Sequence, residues 1–340
     1  GTKTKNCSLK LMRRYYTRAC NFYYGSISKN LIKEKKSYSL NGNNEISFDE
    51  IEILSRKFKK KISISQIHKL PKQIRNSIDL DLKEITKKKK FKNIIIKSTP
   101  KIMGILNVTP DSFSDGGKFN KTETAKKYIN YLFKCGADIV DVGGESTRPG
   151  SKSISSKIEW NRIKNVLKNI DKKKIISIDT RKSDIMENAI KHGVKIVNDV
   201  SGLSYDKNSI NVINRYQIPF VINHSLGNPD VMQKNPKYKN VLLDIYDFFE
   251  NKIKFLRSKG INHNNIILDP GIGFGKNLKH NMTIIKNISI YHSLGLPIMI
   301  GISRKRFIKD LSGNNDSSLR IGGTISSSIF AMLKGVQILR

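Results

Sequence analysis

Cysteine and tryptophan are scarce in this chain, which has three cysteines and one tryptophan among its 340 residues. Cys7, Cys20 and Cys135 form neither a Cys-x-x-Cys pair nor a His–Cys spacing typical of zinc, so the sequence indicates neither a disulfide framework nor a zinc site. This cysteine usage fits a reducing compartment. A run of about 18 apolar residues is also missing, so we expect no membrane span and no membrane partner.

Acidic residues are few as well, with 28 Asp and Glu against 63 Lys and Arg and a formal net charge of +35. A basic balance of this size is common among nucleic-acid-binding proteins. Here, however, 49 of the 63 basic residues are Lys, mixed with Asn and Ile along the whole chain. A surface that tracks phosphates has clustered Arg between aromatic side chains. We therefore expect no nucleic-acid partner.

Charge density divides the chain near Ser98. Residues 1–100 carry 25 basic and 8 acidic side chains, whereas the remaining 240 residues carry 38 and 20. Because the first part also has weak periodicity, we predict a basic, poorly ordered extension over residues 1–97 and a folded domain over residues 98–340. The first 33 residues are typical of an organellar transit segment and equally of a solvated basic tail, so location in the cytoplasm, a mitochondrion or a plastid stays open.

Short apolar runs alternate with helical patterns from Lys101 onward. Candidate strands lie at 101–107, 138–142, 174–179, 195–198, 218–222, 265–269, 297–301 and 336–339. Candidate helices lie between them at 122–135, 156–169, 183–192, 207–214, 239–259, 278–289 and 318–334. This alternation predicts an α/β fold with parallel strands, a TIM barrel that is truncated at its C-terminus and lacks the final helix. A doubly wound open sheet is the alternative, but no Gly-rich nucleotide turn follows the first strand.

Nearly every predicted strand is followed by a carboxylate, an amide or a cation. These residues are Asn107, Asp141, Asp179, Asn198, Asp269, Ser303, Lys305 and Arg340. Any one of them taken alone also suits a helix cap or a turn. In a TIM barrel, however, the carboxyl ends of the strands share one rim, where active sites lie. Their recurrence at one rim therefore favours a functional site.

The residue types at this rim indicate the chemistry. Asp179, Asn198 and Asp269 supply donors and acceptors that suit a heterocycle with ring N–H and exocyclic amine groups. Lys305 and Arg340 supply positive charge for an anionic leaving group such as phosphate.

Residues 101–340 resemble the dihydropteroate synthases, enzymes of folate biosynthesis. The resemblance rests on motifs that occur in order: KIMGILNVTPDSFSDGG, DIVDVGGESTRPGS, ISIDTRK, VNDVSGL, ILDPGIGFGK, LPIMIGISRKRF and VQILR. It implies a TIM-barrel transferase that condenses 6-hydroxymethyl-7,8-dihydropterin pyrophosphate with para-aminobenzoate, giving 7,8-dihydropteroate and pyrophosphate. It also implies Mg²⁺ as cofactor, inhibition by sulfonamides and a homodimer.

The resemblance implies a role for each rim residue. Catalysis is expected of Asp141, Asp179 and Lys305, and pterin binding of Asp179, Asn198, Asp269 and Lys305. Pyrophosphate is expected at Asn107, Arg148 and Arg340, with the metal at Asn107. The para-aminobenzoate pocket is expected to contain Phe113, Thr147, Pro149, Phe274 and Ser303. Residues 111–117 and 145–151 match two mobile loops that close over the substrates. The family is thought to release pyrophosphate first and leave a cation at the pterin methylene.

The chain departs from the family pattern in the fifth strand, where Asn223 stands in place of the usual Met before His224. We interpret His224 as a packed, non-catalytic residue. Upstream, Asp79 and Asp81 also suit a remnant of a fused pterin pyrophosphokinase domain. Two other functions are considered: a pterin-dependent methyltransferase on the same barrel, which needs no pyrophosphate site, and an inactive fragment that acts only as a binding protein.

Overall fold

The computed structural model describes residues 15–90, 100–109, 118–146, 151, 153–168, 170–225, 236–313 and 315–340, with the backbone alone for residues 118–121. In this part of the chain, none of the helices combines the length and the apolar character needed to cross a membrane.

Residues 16–86 form what we call the N-terminal unit, an antiparallel sheet with helices. Its elements are β1 (Tyr16–Tyr24), α1 (Gly25–Lys33), β2 (Tyr38–Leu40), β3 (Asn43–Leu54), β4 (Lys59–Ser63), a 3₁₀ helix (Ile64–Lys69) and α2 (Lys72–Thr86). The long strand β3 pairs with the other three strands, and β2 and β4 lie along its same edge. Asn41 and Gly42 make the turn between β2 and β3 with φ of 56° and 65°, a conformation that favours these two residue types.

The prediction of a poorly ordered extension is therefore wrong for residues 16–86. Side chains from the sheet and from α2 form a small core of their own, which includes Ala19, Phe48, Ile51, Ile78 and Ile85. The many lysines and asparagines of this segment obscure the apolar pattern that would predict strands. Its core residues are few, and they come together only when β3 pairs with strands on both of its edges.

The second sheet contains eight parallel strands in the order β10-β9-β8-β7-β6-β5-β12-β11. They are β5 (Lys101–Asn107), β6 (Ile139–Gly143), β7 (Ile175–Asp179), β8 (Ile196–Asp199), β9 (Phe220–Asn223), β10 (Ile266–Asp269), β11 (Met299–Ile300) and β12 (Ile338–Leu339). A parallel bridge between Leu268 and Ile298 joins β10 to the segment that leads into β11. The sheet therefore closes into the predicted TIM barrel, and the open-sheet alternative is excluded.

Helices connect the barrel strands along its outer side. They are α3 (Lys118–Lys134), α4 (Ser156–Leu167), α5 (Ser183–Lys191), α6 (Ser209–Tyr216), α7 (Val241–Ser258), α8 (Leu278–Lys286), α9 (Arg306–Ser312) and α10 (Ile321–Leu333), with 3₁₀ turns at His263–Asn265, Ile288–Leu294 and Ser318–Arg320. The strand bounds agree with the sequence prediction to within two residues. Buried runs of Ile and Val are typical of parallel strands that are covered on both faces, and these runs allow the strand positions to be predicted from the sequence.

The N-terminal unit packs on the outside of the barrel, against α7 and the 3₁₀ turn Ile288–Leu294. The Tyr16 ring meets the Tyr246 ring edge to face at 5.0 Å, and the Tyr16 hydroxyl donates to Asp247 at 2.7 Å. Ser289 donates to the backbone oxygen of Ala19 at 3.0 Å.

The interior of the barrel is layered. One apolar layer, with Met103, Ile139, Ile196, Val221, Ile267, Met299 and Ile338, forms a separate core cluster. Side chains alternate between the two faces of a strand, so residues two positions further along point inward again. In six strands this next position is polar: Asp141, Ser177, Asn198, Asn223, Asp269 and Arg340. A polar layer at the carboxyl ends of the strands thus lies directly above the apolar layer inside the barrel.

Candidate active site

Arg340 joins two carboxylates inside the barrel. Its Nε donates to Asp141 Oδ2 at 2.8 Å, and its second guanidinium nitrogen donates to Asp179 Oδ2 at 2.9 Å. Asn198 Nδ2 also donates to Asp141 Oδ2, at 2.8 Å. Four predicted site residues from β6, β7, β8 and the end of β12 are therefore in direct contact.

The two carboxylates keep one free oxygen each. Asp141 and Asp179 are 1% and 3% exposed, and the Oδ1 atoms of both are buried without a hydrogen-bond partner among the described residues. Buried acceptors of this kind usually have partners, so unpaired ones indicate a place for a ligand. When both are ionised, the pair holds one more negative charge than the Arg340 guanidinium neutralises.

Burial and the neighbouring Asp141 both raise the pKa of Asp179. Its pKa is raised to about 8, first because burial disfavours the charged carboxylate and second because Asp141 is close by. The positive charge of Arg340 acts in the opposite direction. A positively charged group that enters the site would favour ionised Asp179.

Lys305 lies on the other side of the rim, where its amine donates to the backbone oxygen of Ile272 at 2.5 Å. The amine also lies 4.6 Å from the centre of the Phe274 ring. Burial lowers the pKa of Lys305 to about 8, while Asp269 favours the charged amine. Asp269 itself accepts from the backbone N–H of Gly271 at 2.8 Å. Lys305, Asp269 and Phe274 thus form a second group on this side of the rim.

Asn107 ends β5 beside Gly143, its register partner on β6. A Cβ atom at Gly143 would lie 3.5 Å from Asn107 Oδ1 and 3.5 Å from Asp179 Cβ. The glycine therefore keeps the space between the two strand ends open.

Among the described residues, no group of three or more His, Cys, Asp or Glu side chains is placed to hold a metal ion. The single amide oxygen of Asn107 fits Mg²⁺ only in a site that substrate phosphates and water complete, which is the usual manner for this ion.

The remaining predicted residues are Ser303 and four residues that the structure does not describe. Ser303 is exposed, in the turn that precedes Lys305. Phe113, Thr147, Arg148 and Pro149 lie outside the described residues, as do all of residues 111–117 and the central part of residues 145–151. Their assignment to the pyrophosphate and aminobenzoate sites stays a prediction.

Sequence reasoning missed Lys276, a buried amine close to the site. Its Nζ lies 3.1 Å from His224 Nδ1 and donates to the backbone oxygens of His224 at 3.1 Å and Phe274 at 2.9 Å. Burial lowers the pKa of Lys276 to about 7, and burial together with Lys276 lowers that of His224 to about 2. Neutral His224 is packed, in agreement with our interpretation, and Lys276 ties the loop after β9 to the loop after β10.

A buried ionic network behind β6 and β7 was also missed. Glu145 accepts from Arg181 at 3.1 Å and from Lys182 at 3.0 Å, and its other oxygen accepts from the backbone N–H of Ile154 at 2.9 Å. Lys182 also donates to Glu159, which is fully buried, at 2.6 Å. The sequence contains the four charged residues in GGESTRPG, in TRK and at the start of α4. Their spacing along the chain, however, does not predict which of them form ion pairs.

This arrangement provides two adjacent binding regions, one for a polar ring and one for an anion. The carboxylates and amides of the polar layer suit a polar heterocycle with several hydrogen-bond donors. The cations Arg340 and Lys305, at the same rim, suit an anion that departs from it.

The chain is similar to proteins of known activity. A model of the family described as "Pterin binding enzyme" matches residues 103–340. The dihydropteroate synthase of Escherichia coli K12 is 39% identical over 245 residues, which cover 72% of this chain and 86% of that protein.

Solved structures agree. The dihydropteroate synthase of Clostridium difficile, determined in the presence of pteroic acid, is 41% identical with a TM-score of 0.66, and the match covers 71% of this chain and 90% of that one. The Xanthomonas albilineans dihydropteroate synthase with 4-aminobenzoic acid is 33% identical with a TM-score of 0.66, over 71% of this chain and 87% of that one.

Proposed function

Because this chain belongs to the family of pterin-binding enzymes, we propose that it is a dihydropteroate synthase, a transferase of folate biosynthesis. It condenses 6-hydroxymethyl-7,8-dihydropterin pyrophosphate with para-aminobenzoate. The C–O bond between the pterin methylene and pyrophosphate breaks, and a C–N bond to the amine forms. The amine gives up one proton, and pyrophosphate leaves with the electron pair of the broken bond.

The observation that carries this proposal is the contact of Arg340 with both Asp141 and Asp179. It puts an anion-binding guanidinium beside two carboxylates, each of which has one oxygen without a partner among the described residues. The relatives with the same barrel are named for this reaction. A methyltransferase would have no use for the cation at this position.

The pterin ring lies on the polar layer, against Asp179, Asn198 and Asp269, with Lys305 at its edge. Asp179 makes the largest contribution to the reaction. Positive charge that develops at the pterin methylene favours the ionised form of Asp179, and the carboxylate in turn stabilises that charge. Asp141 holds Arg340 and Asn198 in position. The catalytic contribution is therefore electrostatic.

Pyrophosphate lies toward Arg340, Asn107 and Arg148. Asn107 would hold Mg²⁺ together with phosphate oxygens of the substrate, and the ion would offset negative charge on the departing group. Para-aminobenzoate approaches from the side of Phe274 and Ser303, with Phe113, Thr147 and Pro149 completing its pocket.

An apolar stripe on α10 suits a homodimer. Ile321, Ile325 and Ile329 follow one another at four-residue spacing and are 50%, 52% and 48% exposed. Exposed apolar stripes of this kind mark protein interfaces. We propose a homodimer through this helix, to be tested by sedimentation of the wild type and of Ile325→Lys.

The test of the function is pyrophosphate release from the pterin pyrophosphate, with and without para-aminobenzoate, in the wild type and in Asp179→Asn. We expect release that depends on aminobenzoate in the wild type and a strongly reduced rate in the variant. Wild-type protein that binds the pterin but releases no pyrophosphate when aminobenzoate is added would contradict the proposal.

A further inference from the structure

Asn223 belongs to the polar layer but has no part in the functions described so far. It is the last residue of β9, opposite Asp269 in the register of β9 and β10. Two residues before it, Val221 is part of the apolar layer. Because side chains alternate along a strand, Asn223 points to the same interior space as Asn198 and Asp269.

The amide of Asn223 is buried and incompletely paired. The residue is 3% exposed, and its Oδ1 has no hydrogen-bond partner in the described part of the chain. Buried side-chain amides normally find partners. Within the same interior space the only other such atoms of described residues are Asp141 Oδ1, Ser177 Oγ and Asp179 Oδ1. The unpaired atoms thus gather at the site we assign to the pterin.

The backbone N–H of Gly271, in the neighbouring loop, does not supply the missing hydrogen bond to Asn223 Oδ1. Gly271 approaches so closely that a Cβ atom there would lie 3.0 Å from Asn223 Oδ1, and its φ of 70° favours glycine. The backbone N–H of Gly271, however, donates to Asp269 Oδ1 at 2.8 Å. The backbone N–H of Gly271 is therefore already in use.

We propose that Asn223 is a specificity-determining residue of the pterin site, which hydrogen-bonds a donor group of the bound ring through its side-chain amide. The inference rests on the proposed function. A heterocycle that carries several N–H groups on one edge supplies the partner that the protein lacks at this position. Methionine, the usual residue in the resembling family, has only a weak thioether acceptor. This chain therefore holds the ring by one polar contact more.

The test compares Asn223→Leu, which is close in size and apolar, with Asn223→Met. The dissociation constant of 6-hydroxymethyl-7,8-dihydropterin pyrophosphate is measured by titration calorimetry. We expect it to rise about threefold to tenfold in both variants, the range of one neutral hydrogen bond. The KM for para-aminobenzoate at saturating pterin pyrophosphate should stay unchanged.

Asn265→Leu is the matched control. Asn265 is 4% exposed, donates to the backbone oxygen of Gln217 at 2.9 Å and lies at the amino end of β10. Its replacement should lower the melting temperature and leave the pterin affinity as it is. Asn223→Ser, the smallest polar replacement, serves if Asn223→Leu does not fold.

Unchanged pterin affinity in the folded Asn223 variants, with wild-type protein that binds and turns over substrate, would overturn the inference and leave the proposed function intact. Wild-type protein without measurable pterin binding would overturn both.

Discussion

Arg340 and Asp179 are joined by a hydrogen bond of 2.9 Å although 161 positions separate them along the chain. The bond connects the end of β12 with the end of β7 across the mouth of the barrel. Since Arg340 also bonds Asp141, it holds two carboxylates in place that would otherwise repel each other.

Replacing Asp179 by Asn should lower kcat/KM by about 100-fold or more, because the variant cannot favour positive charge at the pterin methylene. Pyrophosphate release under single-turnover conditions measures this. Asp138→Asn is the control, since Asp138 pairs with Lys101 at 2.6 Å at the opposite end of the barrel. Equal losses in both variants would mean that Asp179 acts through stability alone.

Lys276 should make stability depend on pH. Its folded pKa of about 7 lies below the ordinary value of 10.5, so the neutral amine is favoured in the folded state. The stabilisation is present above pH 10.5 and is lost as the pH falls through the folded pKa. Urea unfolding from pH 10 to pH 6 should show this slope in the wild type, and a weaker slope in Lys276→Met. Identical slopes would contradict the assignment.

Glu159 and Lys182 should be strongly coupled. Lys182→Met should cost about 3 kcal/mol or more, because the fully buried Glu159 loses the amine that donates to it. Glu159→Gln should cost less, because Lys182 keeps Glu145 as a partner. The double variant should cost less than the sum of the two. Lys191 and Glu187 form an exposed pair for comparison, whose coupling should be below about 1 kcal/mol. A double-mutant cycle by urea unfolding measures both, and additive effects at the buried pair would refute the coupling.

Tyr16→Ala should destabilise the whole protein, although it lies outside the barrel. Tyr16 is fully buried against Tyr246 and Asp247, so its removal should cost about 3 kcal/mol or more. Tyr38→Ala, at a residue that is 39% exposed, should cost much less. Pterin affinity in calorimetry should stay the same in both. A thermal unfolding curve unaltered by Tyr16→Ala would show that the N-terminal unit does not stabilise the barrel.

Sulfonamides should inhibit in competition with para-aminobenzoate and not with the pterin pyrophosphate, since we assign the two substrates to different parts of the rim. Steady-state inhibition with each substrate varied in turn measures this. Asn223→Leu should leave the inhibition constant for the sulfonamide unchanged. Competition with the pterin pyrophosphate would place the inhibitor on the polar layer instead.

Much of the site was readable from the sequence because strands of a closed parallel barrel bring their carboxyl ends to one rim. Asn107, Asp141, Asp179 and Asn198 could be placed there from periodicity alone. The N-terminal unit was not readable, since its core depends on pairing between strands far apart in a sequence rich in lysine and asparagine.

The sequence by itself determined the barrel, the positions of its strands and the polar residues that face its mouth, because buried runs and strand ends are local patterns. Only the tertiary structure decided which polar groups meet. Arg340 with Asp179, Lys276 with His224 and the incompletely paired Asn223 depend on strand register and on loops that pack from distant parts of the chain. Hydrogen bonds form between neighbours in space, and spacing along the chain does not specify those neighbours.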